Sequence, residues 1–278
     1  MRKVWIVGLL LSFGVIAPAS AADYPVIGYY QPAPVRPLYS WTGCSVGVNI
    51  GGGWSPNSWR DPAQYFGVGP ELGSHTANGA IGGWQLGCDY QAGPIVFGAR
   101  GLYDLTGIKG QNLQPAFPPF NTSVFTNTSV IRDILADKTF IQSVATLSGR
   151  VGVTVRPTTL LYVQGGAAVA HDVETIFPFV NQATNIGQSG QGITIAEARR
   201  NAIGWTAGVG VEAALFAGDW SVFAEYNHIG FGTSNVTFTS GVIPPGMTGS
   251  TFQLNIRQSI DMFLLGINYR FVGGPPKF

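Results

Sequence analysis

The chain has 278 residues, of which only 10% are charged, 45% are hydrophobic and 39 are glycine, with a formal net charge of +1. A soluble enzyme of this size carries about 25% charged residues and about 7% glycine, and a nucleic-acid-binding domain carries a basic excess that is missing here. Mean hydropathy is slightly positive at +0.20, yet no internal run reaches the ~20 apolar residues of a membrane helix. A transmembrane β-barrel has this profile, because only every second residue of each strand must be apolar.

The chain opens on Arg2 and Lys3, an apolar run from Val4 to Ala17, and Ala19-Ser20-Ala21. A basic start, an apolar stretch too short to span and a small-x-small site read as a secretory signal peptide, residues 1–21. Cleavage after Ala21 removes two of the 15 basic residues and none of the 14 acidic ones, leaving a mature balance of −1. Residues 22–40 carry Pro25, Pro32, Pro34 and Pro37. Prolines this dense block helix and disfavour a central strand, so the segment reads as an extended periplasmic lead-in. Residues 41–278 form the barrel.

From Trp41 the chain repeats one grammar: a glycine-rich alternating segment, then a connection. Eight segments follow, 42–54, 78–90, 95–107, 139–155, 160–172, 202–215, 220–231 and 256–271, each long enough for the 9–11 or so residues of a membrane strand. Connections after the second, fourth and sixth are tight: "QAGP", "RPTT" and "FAGD". Those after the first, third, fifth and seventh are long, roughly 55–77, 108–138, 173–201 and 232–255. Short periplasmic turns alternating with four long extracellular loops predict an all-β fold: an eight-stranded antiparallel up-and-down transmembrane barrel in the outer membrane. Pairing of the first and last segments would leave no free edge.

Alternation assigns faces. Cys44, Val46, Val48 and Ile50 oppose Gly43, Ser45, Gly47 and Asn49; Val151, Val153 and Val155 oppose Ser148, Arg150 and Gly152; Trp220, Val222 and Tyr226 oppose Ser221, Glu225 and Asn227. The apolar set faces lipid and the polar set the lumen. Trp41, Tyr90, Phe216, Trp220, Tyr269 and Phe271 fall at the turn side, and Trp54, Trp205, Phe231 and Phe263 toward the loops, as two interfacial girdles would.

The inward charges are Asp89, Arg100, Asp104, Arg150, Glu212, Glu225 and Arg270. An eight-stranded interior is just wide enough to be filled by side chains, and charges buried there must pair. They predict a salt-bridge network closing the lumen; the alternative is a narrow gated pore lined by Arg150 and Glu225, a porin for small solutes. In the last segment, "GINYRF", Gly266, Tyr269 and Phe271 are similar to the signal that the barrel-assembly machinery reads on a final strand, although here the chain continues to Phe278.

Four stretches resemble one family: "WTGCSVGVNIGGGW" (41–54), "GAIGGWQLGCDYQ" (79–91), "GWTAGVGVEAALFAGDWSVFAEYNHIGFG" (204–232) and "GINYRF" (266–271). They are similar to the porin-family, or outer-membrane immunogenic, small β-barrel proteins of alphaproteobacteria, the surface antigens of rhizobia and brucellae. The family pattern is W-T-G-aromatic-aromatic-x-G in the first stretch, G-G-x-Q-x-G-aromatic in the second and G-W-T-x-G-x-G-x-E, then W-S-x-x-A-E-Y, in the third. The resemblance implies an eight-stranded surface antigen of the outer membrane, sometimes called a porin, with no enzymatic role and no cofactor. Its partners would be outer-membrane lipids, lipopolysaccharide and the assembly machinery.

Cys44 and Cys88 depart from that pattern, which has aromatics at both positions. "WTGC" also looks like a lipoprotein box, but a signal peptide already ends near Ala21. If Trp54 pairs with Asn78, the same register sets Cys44 directly opposite Cys88 on the outward face. Cross-strand neighbours lie within reach of a bond, and the periplasm is oxidising. A disulfide or two free lipid-facing thiols both fit.

Some eight-stranded barrels modify lipid A, and a deacylase of that class uses a membrane-facing His with a Ser two residues on. "EYNHIG" has His228 outward but Gly230 at the partner position, so the nucleophile is missing. His75 and His171 fall in or near loops, and three scattered His with two Cys form no metal pattern. The longest loop, 108–138, mixes Phe117, Phe120 and Phe125 with polar residues and is the candidate for outside contacts.

Overall fold

The computed structural model describes residues 39–63, 70–114, 134–179, 196–215, 219–240 and 251–272. The signal-peptide and most of the lead-in assignments, Phe216, Phe278 and the three loop phenylalanines lie outside the described residues.

Eight antiparallel strands form one closed ring in chain order: β1 (Gly43–Arg60), β2 (Glu71–Ala92), β3 (Ile95–Gln114), β4 (Ile134–Arg156), β5 (Thr159–Phe179), β6 (Ala196–Ala214), β7 (Trp220–Ser240) and β8 (Thr251–Val272). β1 pairs with β8 as well as with β2, so no edge is left unpaired. The tight connection between β2 and β3 turns through Gly93, whose φ of 60° favours glycine.

The strands run 18 to 23 residues, twice what a bilayer core requires. Residues 55–60, 71–77, 108–114, 134–138, 173–179, 196–201, 232–240 and 251–255, expected as loop, are strand. Faces explain why. Outward Val46, Val48, Ile50, Leu86, Phe97, Leu147, Val163, Ile203, Val209 and Leu265 are exposed, and among the described residues the exposed large apolar side chains gather in the turn-side half of the strands, passing the strand midpoint only at Trp54, Leu105 and Ile203. That half carries the band suited to lipid. Beyond it the faces invert: polar residues point out, while Trp59, Leu72, Ile176, Val236, Phe238, Leu254 and Ile256 pack inside as a second core. The loop-side half is therefore a water-exposed barrel whose interior holds apolar clusters together with buried polar side chains such as Asn57, Asp172, Glu174 and Gln258, and a search for apolar-outward alternation passes over it.

Two irregularities help switch the pattern. The register of β7 against β8 slips between Gly230 and Gly232, where φ is 69°; inward residues are odd-numbered through Phe231 and even-numbered from Val236. β4 slips likewise between Ile141 and Ser143. Each slip has the signature of a β-bulge, an extra residue that flips the facing of everything beyond it.

Two aromatics leave the expected girdles. Trp41 is fully buried and Phe231 nearly so. Trp41 packs edge-on against Tyr39, with Val96, Leu160 and Tyr162, as an apolar stopper at the turn end. Phe231 joins Ile81, Leu102, Ile141, Phe223, Ile229, Ile260, Met262 and Leu264 in an apolar layer at mid-height. His75 and His171 are on β2 and β5 rather than in loops.

Candidate functional site in the lumen and on the outer face

The alternation that turns valines toward lipid turns one charged side chain from most strands into the lumen. Arg150 on β4 is the hub. Its Nε and Nη2 donate to Asp89 Oδ1 and Oδ2 on β2, at 2.8 and 2.5 Å, and its Nη1 donates to Glu212 Oε2 on β6 at 2.9 Å. This planar two-oxygen grip on Asp89 is the strong geometry for a guanidinium. Arg270 on β8 reaches Asp89 at 3.4 Å and donates to the Trp41 carbonyl at 2.5 Å, under the Trp41 ring. Arg100 on β3 pairs with Glu225 on β7, which also accepts from the Tyr162 hydroxyl at 2.7 Å and from Gln164 at 3.0 Å. All six paired side chains are at most 5% exposed.

Neutral amides close the ring. Asn49 donates to Gln85 (2.9 Å), Gln85 to Asn268 (2.8 Å) and Asn268 to Glu212 (3.0 Å), with Ser221 on Glu212 at 2.6 Å. Every strand thus contributes a polar side chain to the cross-lumen network. Three guanidinium groups meet three carboxylates, so the network is close to neutral. Asp104, the seventh inward charge read from the sequence, is also fully buried, but stands outside these pairs against Gly83, where any Cβ would overlap it.

A second polar tier, above the apolar layer, was not visible in the sequence reading. His75 meets Asp137 at 2.9 Å. Arg200 meets Asp172 at 3.3 Å and Glu174 at 3.9 Å, and Thr139 donates to Glu174 at 2.7 Å. Four of these residues fell in stretches expected to be loop. Their signal was present: Glu174 and Ile176 continue the inward parity of Tyr162 and Gln164. Among the described residues no group of His, Cys, Asp and Glu could hold a metal ion.

The final strand carries Tyr269 and Phe271 outward, with Tyr269 against Trp220 at 5.0 Å between ring centroids. Gly266 lies inward beneath the Phe223 ring. Cys44 and Cys88 pair directly in register and are joined by a disulfide, with 4.0 Å between Cα atoms.

Outside the barrel, His228 on β7 pairs across to Asp261 on β8, Nδ1 to Oδ1 at 2.7 Å, and Tyr226 donates to the same carboxylate oxygen at 2.6 Å. Trp205 packs on the His228 ring at 5.3 Å and covers Gly230. The sequence reading found His228 but missed Asp261, because 33 residues separate them and only the β7–β8 register joins them.

The model of the outer membrane protein beta-barrel domain family matches residues 7–271. The chain belongs to that family. It is an outer-membrane β-barrel protein, as the closed eight-stranded ring and its outward apolar band require. An uncharacterized protein of Coxiella burnetii is 30% identical over 134 residues, 47% of this chain and 48% of that protein. The chain thus spans about half the length of the curated relative it matches. Among solved structures it is similar to Ail, the attachment invasion locus protein of Yersinia pestis, at 13% identity over 83% of this chain and 99% of that one, with a TM-score of 0.35. Neisserial surface protein A matches at 11%, covering 83% and 98%, with a TM-score of 0.34. The outer membrane protease OmpT of Escherichia coli matches at 12%, covering 82% and 97%, with a TM-score of 0.41.

Proposed function

We propose that this protein is a structural outer-membrane barrel and surface antigen whose lumen is closed by its own side chains, without enzymatic activity. The observation that carries the reading is the stacking of three barriers across one lumen. The Trp41 stopper lies at the turn end, the Arg150–Asp89–Glu212 and Arg100–Glu225 pairs come next, and the apolar layer of Phe223, Ile229, Phe231, Ile260 and Met262 follows. A hydrated ion crossing this path would have to break buried charge pairs and then enter a dry layer, and each step is costly. Single-channel recording in planar bilayers tests it. No conductance steps above background are expected, and reproducible steps would establish the small-solute porin instead.

Gly266, Tyr269 and Phe271 act in this reading as the signal for the barrel-assembly machinery. The two aromatics stand outward on the last strand, where a docking surface could read them. Replacing both with Ala should lower the folded fraction recovered in outer membranes while leaving refolding in detergent intact.

A further inference from the structure

The second polar tier is enclosed along the barrel axis. On β2 it lies between Leu72 and Ala77, on β5 between Ile176 and Ala170, and on β8 between Ile256 and Ile260, each pair drawn from the apolar clusters above and below it. Its charges do not balance. Three carboxylates, Asp137, Asp172 and Glu174, share the tier with one guanidinium, Arg200, and the His75 ring. Lys109, Lys138, Arg199 and Arg257, on the same strands, are exposed on the outer face. Polar atoms are left over as well. Glu174 Oε1 and His75 Nε2, on side chains 0% and 5% exposed, have no hydrogen-bond partner among the described residues, and neither do Asn57 Oδ1 or Arg200 Nε and Nη1. Buried charge without counter-charge and buried polar atoms without partners are both costly. The lower network, with three guanidinium groups against three carboxylates, avoids the first cost; this tier does not.

The seam between β6 and β7 supplies a way in from the side. These strands pair from Ala214 to Trp205 and again at Glu197 and Ala196, but residues 198–204 of β6 and 231–238 of β7 have no partners across the seam. At this height β6 stays paired with β5, and β7 with β8. The bulge at Gly232 puts an extra residue on β7, so the two ladders fall out of step. Arg200 stands in the middle of this stretch, and at 12% its side chain is the most exposed of the tier's charged groups. Ser234 faces inward beside buried Ile256, yet is only half-buried. The outward residues here, Asn201, Thr233 and Asn235, are polar and exposed, so the seam meets water beyond Ile203 rather than lipid.

We propose that this tier binds a small organic cation with several N–H donors, of the amine or guanidine class, which enters from the medium through the β6–β7 seam and bridges Glu174 and Asp137. Asp172 and Glu174 occupy successive inward positions, about 7 Å apart along β5, and the carboxylates do not converge as ligands of one metal ion. A cation with donors at its edges spans such a gap. Burial, and then the Asp172 charge, hold the Glu174 carboxyl up at about 8, so below that pH a proton competes with the cation. The site lies above the lumen's barriers and does not depend on whether the lumen conducts, so its failure and that of the closed-lumen reading are separable.

The test is calorimetric titration of the full chain folded in detergent, at constant ionic strength, with methylguanidinium, methylammonium and tetramethylammonium chlorides as probes. Saturable binding of methylguanidinium is expected, tightening as pH rises from 7 to 9. Tetramethylammonium, with the same charge and no N–H, should not reproduce it. Glu174→Gln should weaken binding by about tenfold, the worth of one charge-assisted contact, and remove most of its pH dependence. Asp137→Asn should weaken it similarly, and Ser234→Trp, which fills the entrance, should abolish it. Glu197→Gln, on the outer face of β6, should leave it unchanged. Heat-modifiable migration on gels verifies that each variant is folded. No saturable heat from methylguanidinium, equal binding of tetramethylammonium, or full-strength binding by Glu174→Gln and Asp137→Asn would each overturn the proposal, and full-strength binding by Ser234→Trp would overturn the route through the seam.

Discussion

Cys44 and Cys88 stand opposite each other on neighbouring strands, facing outward at the turn end of the barrel and joined by a disulfide. The bond closes a chain segment with a sequence separation of 44, which includes the β1–β2 connection. Cross-linking a loop of that length stabilises by about 2–4 kcal/mol through the unfolded chain. Cys44→Ser with Cys88→Ser should therefore lower the unfolding free energy in urea by that amount and leave the barrel assembled. Thiol labelling of the denatured protein should find no free thiol before reduction and two after it. Equal labelling in both conditions would show the bond to be absent.

The Arg150 hub yields a sharper energetic statement. Removing its guanidinium strands Glu212 and leaves Asp89 with Arg270 alone, at 3.4 Å, in a lumen where neither carboxylate is more than 2% exposed. Breaking one side of a buried pair costs about 3–5 kcal/mol, because the partner charge stays buried. Arg150→Met should lower stability by that order. Adding Glu212→Gln to it should recover part of the loss, since position 212 then needs no counter-charge while Asp89 keeps Arg270. A double variant no more stable than Arg150→Met would mean that Arg150 acts through packing, for instance beneath the Tyr162 ring, 5.0 Å away.

These elements differ in how legible they were. The strand count, the lumen charges and the Cys44–Cys88 register could be read because lipid imposes a strict period of two on the outward face, and because inward charges are conspicuous among glycines. Trp41 and Phe231 could not, since an aromatic near a strand end suits a girdle and a stopper equally and only packing separates them. The upper tier of His75, Asp137, Glu174 and Arg200 was lost for another reason. There the outer face meets water, the pattern inverts, and bulges near Ser143 and Gly232 break the parity. Asp261 became a partner of His228 only through pairing distant in sequence.

Glu174 lies in that upper tier, beyond the last exposed apolar residue of β5, Val169. Burial above all, and then the neighbouring Asp172 charge, push its carboxyl up from 4.5 to about 8. The folded barrel keeps this proton between about pH 4.5 and 8, where the unfolded chain has released it. Folding stability therefore falls as pH rises through that window and has lost this contribution above it. Glu174→Gln mimics the protonated form at every pH. Its urea midpoint should match that of the unmodified protein near pH 5 and exceed it at pH 9, with the neighbouring Asp137, Asp172, His75 and Arg200 present in both. A constant offset at both pH values would show that the carboxylate is already charged at pH 5, and no offset at either that it is still neutral at pH 9.

The inversion of faces makes the depth of the membrane measurable by substitution. Val48 is 58% exposed, which in a water-soluble protein would make a lysine there nearly neutral. In the middle of the apolar band the ammonium must instead leave water for hydrocarbon, and Val48→Lys should cost about 2–4 kcal/mol. Asn235 on β7 is also exposed and outward, but lies beyond the bulge at Gly232. Asn235→Lys should change stability by no more than about 0.5 kcal/mol, as an ordinary surface substitution does. Folding equilibria in phosphatidylcholine vesicles would compare the two directly. Equal costs at both positions would place the bilayer over the loop-side half as well, contrary to the polar exterior there, whereas the expected gap puts the membrane edge between them.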